Sequence, residues 1–340
     1  MTKIEWTNET WNPIIGCNKI SPGCDNCYAE KMAHRLKFNP KTVGKYYFIT
    51  NNGKWTGEMH AFVDEFQKPL QWKNPRMIFV CSMGDLFHES VPFEWINRVF
   101  AVIASCQHHT FQILTKRPKR MKEYFDYINQ ESIKYHAREV RNISYAESRI
   151  NVMLSDISNL KIKDRKFPFN NLWLGVTTEN QEQANKRIPI LLQIPAAIRF
   201  VSCEPMLSNI DLTRVSKLTG LGLKYINSLS GIEWYNDIDS NNYNNWYGKL
   251  DWVICGGESG PKARPMHPNW VKSLRDQCKN AEVPFFFKQW GEWTTSFMVP
   301  VDLSKVKNTS IDNTTYYKVG KKKAGRKLNG VEYNEFPNIN

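Results

Sequence analysis

The sequence has no apolar run long enough to cross a bilayer. A transmembrane helix takes about 20 apolar residues, and "VFAVIASC" (99–106) is among the longest runs present. The opening "MTKIEW" lacks the apolar core of a signal peptide. No fixed period repeats along the chain, which argues against a solenoid or propeller array. Acidic residues are in short supply, 33 against 46 basic ones, leaving a formal net charge of +13. These features predict a cytoplasmic protein that keeps off membranes and meets a polyanion, with nucleic acid the first candidate. The plainer alternative is a basic surface kept for solubility.

Cysteine is scarce as well, at eight residues. Stable disulfides are rare in a cytoplasmic setting. Cys81, Cys106, Cys203, Cys255 and Cys278 are scattered, most of them inside apolar runs, and are expected to be small core residues. Cys278 completes a helical stripe with Trp270, Val271 and Leu274. The exception is "GCNKISPGCDNCYAEKMAHRL" (16–36), where Cys17, Cys24 and Cys27 crowd together.

A chain of 340 residues suffices for one large α/β domain with appendages, or for two modest domains. Seven short apolar runs end in polar or glycine-rich residues: "WNPIIGC" (11–17), "MIFVCSMGD" (77–85), "TFQILTKR" (110–117), "LWLGVTTEN" (172–180), "IRFVSCEP" (198–205), "DWVICGGESG" (251–260) and "PFFFKQW" (284–290). Their apolar parts suit strands buried on both faces, the pattern of a parallel sheet. Helical patterns lie between them, at 92–106, 179–194 (with Pro189 a break or kink) and 268–283. The expected fold class is α/β, a complete or partial parallel (β/α) barrel in preference to an open sheet. The expected organisation is a barrel over 1–293 with insertions at about 122–170 and 208–250, then a basic, hairpin-like extension over 294–340. Either insertion could be a lid or a partner surface.

The cysteine spacing is Cys-x6-Cys-x2-Cys, with Pro22 and Gly23 before the second thiol. Such a loop can aim three thiolates at one point. Zinc would want a fourth ligand, for which His34 is placed on the following helix. A 4Fe–4S cluster on three cysteines would keep one iron open for a small molecule. The loop's place after the first strand, on the active face of a barrel, favours the cluster. Three unligated thiols are the remaining alternative, which the tight spacing disfavours.

A three-cysteine loop after the first strand of such a barrel resembles the radical S-adenosylmethionine enzymes. Their common spacing is Cys-x3-Cys-x2-Cys with an aromatic before the last cysteine; here the first gap is six and Asn26 takes that place. Their "GGE" follows the second strand; here Gly256-Gly257-Glu258 follows a late one. A closer resemblance spans almost the whole chain. "IEWTNETWNPIIGCNKISPGCDNCYAE" (4–30), "GGESGPKARPMHPNWVKSLRDQC" (256–278), "VPFFFKQWGEW" (283–293) and "GRKLNGVEYNEFP" (325–337) resemble a phage and prophage protein family with a three-cysteine motif. That resemblance implies a radical-S-adenosylmethionine-like barrel in a phage or mobile-element setting. It implies no established reaction.

With a 4Fe–4S cluster on Cys17, Cys24 and Cys27, the expected cofactor is S-adenosylmethionine, and an electron donor is then required. Asp85, Glu204 and Lys288 are candidate catalytic residues, and Gly256, Gly257, Glu258 and Ser259 candidate cofactor contacts. Each carboxylate has a plainer reading as a helix cap or an arginine's partner. Lys116, Arg117, Lys119, Arg120, Lys262 and Arg264 are candidate phosphate contacts for a nucleic acid or nucleotide substrate, and "KKKAGRK" (321–327) an exposed basic turn. Trp72, Trp290 and Trp293 are candidate stacking faces, with packing the plainer role. Two other functions stay open: a non-catalytic, metal-stabilised nucleic-acid-binding protein, and a divalent-metal barrel hydrolase using Asp85, Glu204 and Glu258. A partner protein is possible under any of them.

Overall fold

The computed structural model describes residues 4–136, 168–220, 222–235, 244–245, 248–295 and 306–338. Much of the first expected insertion (137–167), most of the asparagine-rich stretch at 235–248, and residues 296–305 lie outside the described residues.

Seven strands form one parallel sheet: β1 (Glu9–Trp11), β2 (Met77–Val80), β3 (Thr110–Thr115), β4 (Leu172–Thr177), β5 (Ile198–Cys203), β6 (Trp252–Gly256) and β7 (Phe285–Gln289). Their spatial order follows the chain from β1 to β7, and those two are the edges. That order is compatible with a partial parallel barrel and differs from a doubly wound sheet, whose order reverses. The strands are rich in Val, Ile, Leu, Phe and Trp because both faces are covered; every residue of β4 and β6 is buried.

Six of the seven expected strands appear where the apolar runs lie. The first differs. The strand entering the sheet is Glu9–Trp11, whereas Ile14–Ile15 pairs antiparallel with His60–Ala61. Pro13 separates the two, and a proline has no N–H to give a ladder. The longer helices among the described residues are α1 (Tyr28–Leu36), α2 (Phe93–Ser105), α3 (Pro118–His136), α4 (Gln181–Leu191) and α5 (Pro268–Asn280). No helix among the described residues is long and apolar enough to cross a membrane.

The chain divides into two compact units, interleaved along the sequence: 1–19, 29–175 and 193–198 in the first, and 20–28, 176–192 and 199–340 in the second. In the first unit, α2 buries Ile96, Val99, Phe100 and Ile103, each contributing about 1.5–3 kcal/mol. Its last turn is closed by Asn171, whose Nδ2 donates to the carbonyls of Ile103 and Cys106 at 3.0 and 3.1 Å. In the second unit, Asn180 caps α4 by accepting from the Gln183 amide at 2.9 Å. Pro189 lies inside that helix rather than ending it. Val215–Thr219, Gly222–Asn227, Ile232–Tyr235 and Asn244–Asn245 form an antiparallel sheet, and Asn308–Ile311 and Thr314–Lys318 form a hairpin paired to Trp293–Thr295. The last residues then run antiparallel along β7: Phe287 N donates to Tyr333 O at 2.9 Å, and Phe336 packs on Trp252. This strap covers a sheet edge that would otherwise offer unpaired backbone.

Candidate functional site

The chain reaches Cys17 through Gly16. A side chain on Gly16 would stand 2.1 Å from Glu58 O, and its φ of +107° is a glycine conformation. The Gly16 amide donates to Met83 O at 3.1 Å, which ties the start of the cysteine loop to the segment following β2.

In the first unit, Cys17 stands beside a buried ion pair. Asp85 accepts from Thr115 Oγ1 at 2.6 Å, from the Lys116 amide at 3.1 Å and from Arg117 Nη1 at 2.9 Å. Arg117 Nη1 also reaches Cys17 Sγ at 3.8 Å, its Nε donates to Glu89 at 2.8 Å, and Nη2 donates to Asn18 Oδ1. Burial opposes the guanidinium charge, but Asp85, Cys17 and Glu89 outweigh it and hold the pKa above its usual value. His88 accepts from the Ser90 amide at Nδ1, so its proton sits on Nε2 and points to Asn18 Oδ1 at 3.0 Å. Burial and the nearby arginine push the His88 pKa down, keeping the ring neutral.

In the second unit, Cys24 ends a short turn, Pro22–Cys24, and the Cys27 amide donates to Cys24 O. Three carboxylates at the C-terminal ends of strands meet this unit's site residues. Glu179, fully buried and paired with Arg187 at 2.9 Å, accepts from the Gly23 amide at 3.1 Å. Glu258 accepts from Asn26 Nδ2 at 2.9 Å and from the Nε and Nη2 of Arg264. Arg264 then continues to Pro22 O at 2.8 Å and Asp25 at 3.2 Å. Burial raises the Glu258 pKa, yet the hydrogen bonds from Arg264 and Asn26 prevail and hold it below the usual carboxylate value. The third carboxylate, Glu204, pairs with Lys288 at 3.1 Å. Glu204 follows β5 and Lys288 lies on β7, so they meet across β6. Gly256 makes this possible: a side chain there would lie 2.5 Å from Glu204 Oε1. Neither member of the pair is fully buried.

The structure engages several expected site residues in internal contacts. Arg117 is buried in its ion pair and Arg264 is spread over the cysteine loop. Arg120 lies on the Phe93 ring and pairs with Glu123. Lys116 is half-buried; of the 116–120 basic run only Lys119 is exposed. Glu258 is committed to Arg264 and Asn26. Ser259 accepts from Gln289 Nε2 at 2.9 Å. Trp290 and Trp293 are buried, their indole N–H groups donating to Lys327 O and Ala263 O, so they offer no open stacking face. Trp72 is half-buried under Arg76. Lys262 is exposed.

The sequence reading missed Asn26, Glu179 and Arg187. Asn26 stood out as a departure from a motif, and the structure makes it the tie between the loop and Glu258. Glu179 was noted at a strand end, where a role could have been inferred.

None of the eight cysteines is in a disulfide. Burial pushes Cys81 and Cys203 up to about 12, and Cys255 and Cys278 also go up, which makes these four inert. Cys17, Cys24 and Cys27 lie instead on a braced loop, Cys17 beside a guanidinium. Thiols are the donor type that a thiolate-bound metal or cluster takes. Among the described residues, no group of three or more His, Cys, Asp or Glu side chains is gathered to hold a metal ion. His34 packs edge-on against Phe38.

No curated protein and no solved structure matches the chain. Residues 1–337 match the family model described as Protein of unknown function (DUF5131), and the chain belongs to that family.

Proposed function

We propose that this protein is an iron–sulfur enzyme of the radical S-adenosylmethionine type, acting on nucleic acid or a nucleotide in a phage or prophage setting. The observation that supports this best is the bracing of the loop of Cys24 and Cys27 by Glu179, Glu258 and Arg264, with neither thiol in a disulfide. A loop with no task beyond linking a strand to a helix has little use for so many polar contacts from residues 156 or more positions away along the chain. In this reading Cys17, Cys24 and Cys27 hold a 4Fe–4S cluster. When bound, the cluster and S-adenosylmethionine supply one-electron cleavage of the sulfonium and a hydrogen-abstracting radical. The chain's own residues bind and orient. Glu204 and Lys288 present a carboxylate and an ammonium suited to an amino-acid head group, and Gly256 keeps the space above β6 clear. Glu258 positions the loop through Asn26 and Arg264.

Anaerobic purification and reconstitution test the reading. Iron and sulfide bound to the protein, a visible charge-transfer band lost in Cys24→Ala, and reductive cleavage of S-adenosylmethionine are expected. Absence of iron and sulfide together with no cleavage overturns it. A second reading, a structural Cys3His zinc site, draws on His34, whose buried Nδ1 has no hydrogen-bond partner. Stoichiometric zinc lost in His34→Ala would establish that site instead.

A further inference from the structure

The C-terminal extension and the cysteine loop of the second unit share one support, the segment 258–264. On one side, Asn26 Nδ2 donates to Lys262 O at 2.8 Å and Arg264 holds Pro22 and Asp25. On the other, Lys318 Nζ donates to Pro261 O. Glu292 completes the joint: its Oε1 accepts from the Gly260 amide at 2.9 Å, and its backbone carbonyl accepts from the Gly320 amide at 3.0 Å. The turn after Gly320 is firmly seated. Ala324 is buried, Trp290 N donates to Gly325 O at 3.1 Å, and Trp290 Nε1 donates to Lys327 O at 2.9 Å. Residues 318–327 carry Lys318, Lys321, Lys322, Lys323, Arg326 and Lys327 and no acid. Lys321, Lys322 and Lys323 are exposed, as is Lys262. Tyr28, directly after Cys27, is 53 % exposed.

We propose that Lys262, Lys321, Lys322 and Lys323 form a phosphate track for a single-stranded nucleic acid that passes the cysteine loop, with Tyr28 offering a stacking face to a base. Three arguments carry it. Four exposed lysines, three of them in a stretch (318–327) without an acid, suit the repeated charge of a polymer backbone better than one mononucleotide. An exposed aromatic two residues after Asn26, which bonds the Lys262 carbonyl, suits unstacked bases, whose faces a duplex hides. An anionic membrane is the poorer match, because the lysines sit on a helix of only four residues with no apolar face to bury in a headgroup layer. The track replaces the expected one at 116–120, where Arg117 and Arg120 are already engaged. The inference rests on the proposed function for the meaning of the neighbouring loop, but its test reads binding alone.

The test measures anisotropy of a short fluorescein-labelled single-stranded DNA, the same sequence as RNA, and the DNA duplex, titrated with the full chain over a range of salt. The variant Lys262→Ala/Lys321→Ala/Lys322→Ala/Lys323→Ala is compared with one losing equal charge elsewhere, Lys41→Ala/Lys54→Ala/Lys73→Ala/Lys186→Ala. The expected result is binding at least roughly tenfold weaker for the track variant only, with the slope of log affinity against log salt reduced by about 2–3. Tyr28→Ala should weaken single-strand binding about tenfold and leave that slope unchanged. Equal affinities and slopes for the two lysine variants overturn the proposal. So does a preference for duplex over single strand. So does lysine-dependent binding to phosphatidylserine vesicles with no binding to the oligonucleotides. If track-dependent binding is found in a chain that holds no iron, the track stands and the proposed reaction falls.

Discussion

Arg264 grips Glu258 with two parallel hydrogen bonds, Nη2 to Oε1 at 2.7 Å and Nε to Oε2 at 3.0 Å, and spends its remaining donors on the cysteine loop. A planar fork can give a carboxylate two parallel bonds and still reach a backbone carbonyl in a fixed geometry; a single ammonium nitrogen cannot hold that bidentate arrangement. Arg264→Ala should therefore leave Glu258 without its counter-ion and free the loop, destabilising the protein by about 1–3 kcal/mol. Arg264→Lys should restore part of the stability but not the order of the loop. Urea unfolding checks the first effect, and amide hydrogen exchange over residues 21–27 checks the second.

The same carboxylate makes a pH prediction. Its pKa is lowered in the folded protein, because the hydrogen bonds from Arg264 and Asn26 outweigh the opposing effect of burial. A depressed carboxylate contributes stability above its unfolded pKa and loses it as the pH falls through the folded value. Glu258→Gln should thus cost stability at pH 7, and the gap to the wild type should narrow at pH values below about 4.5. Thermal midpoints of the two proteins across that range give the answer, and a gap that stays constant would contradict the assignment.

Asp85 and Arg117 are both buried, so removing one partner strands the other. Arg117→Ala or Asp85→Asn should each cost about 3–5 kcal/mol. The double substitution should cost much less than the sum, since no lone charge remains buried. A double-mutant cycle by denaturant unfolding measures the coupling.

Gly256 and Gly257 should respond differently to alanine. At Gly256 the added carbon meets the end of a side chain, Glu204 Oε1 at 2.5 Å, which can swing aside at the expense of the contact with Lys288. At Gly257 it meets the backbone oxygen of Trp290 at 2.0 Å, which cannot move without displacing the end of β7. Gly256→Ala should cost about 1–3 kcal/mol, and Gly257→Ala distinctly more. Thermal melts of the two variants decide the order.

The thiols should fall into two classes. In the folded, metal-free protein at neutral pH, iodoacetamide should label Cys17 and Cys27 first and Cys24 more slowly, because Cys24 is buried. Cys81, Cys106, Cys203, Cys255 and Cys278, all buried, should react only after unfolding. Peptide mass mapping after timed labelling distinguishes the classes.

Much of the sheet could be read from residue order alone. Apolar runs such as "MIFV" and "WVICG" are too short for helices and too continuous for half-exposed strands, and both became strands of the parallel sheet. The first strand was misplaced because the apolar pair Ile14–Ile15 in "WNPII" draws the strand past Pro13, while the break there depends on which amides must find ladder partners. The charged site residues were harder. Arg117 and Lys119 have the same letter-level context, yet one is buried in an ion pair and the other is exposed.

Local sequence determined the strands, the helices and the grouping of three cysteines, because those depend on periodicity, β-branched content and spacing within a few residues. Only the tertiary structure decided what the charges do. Glu258 and Asn26 are 232 residues apart along the chain, and Asp85 and Arg117 are 32 apart. Whether a carboxylate meets a substrate or braces a loop depends on which distant donor the fold delivers to it. That choice is made by desolvation and hydrogen bonding at short range, after the backbone has already been placed.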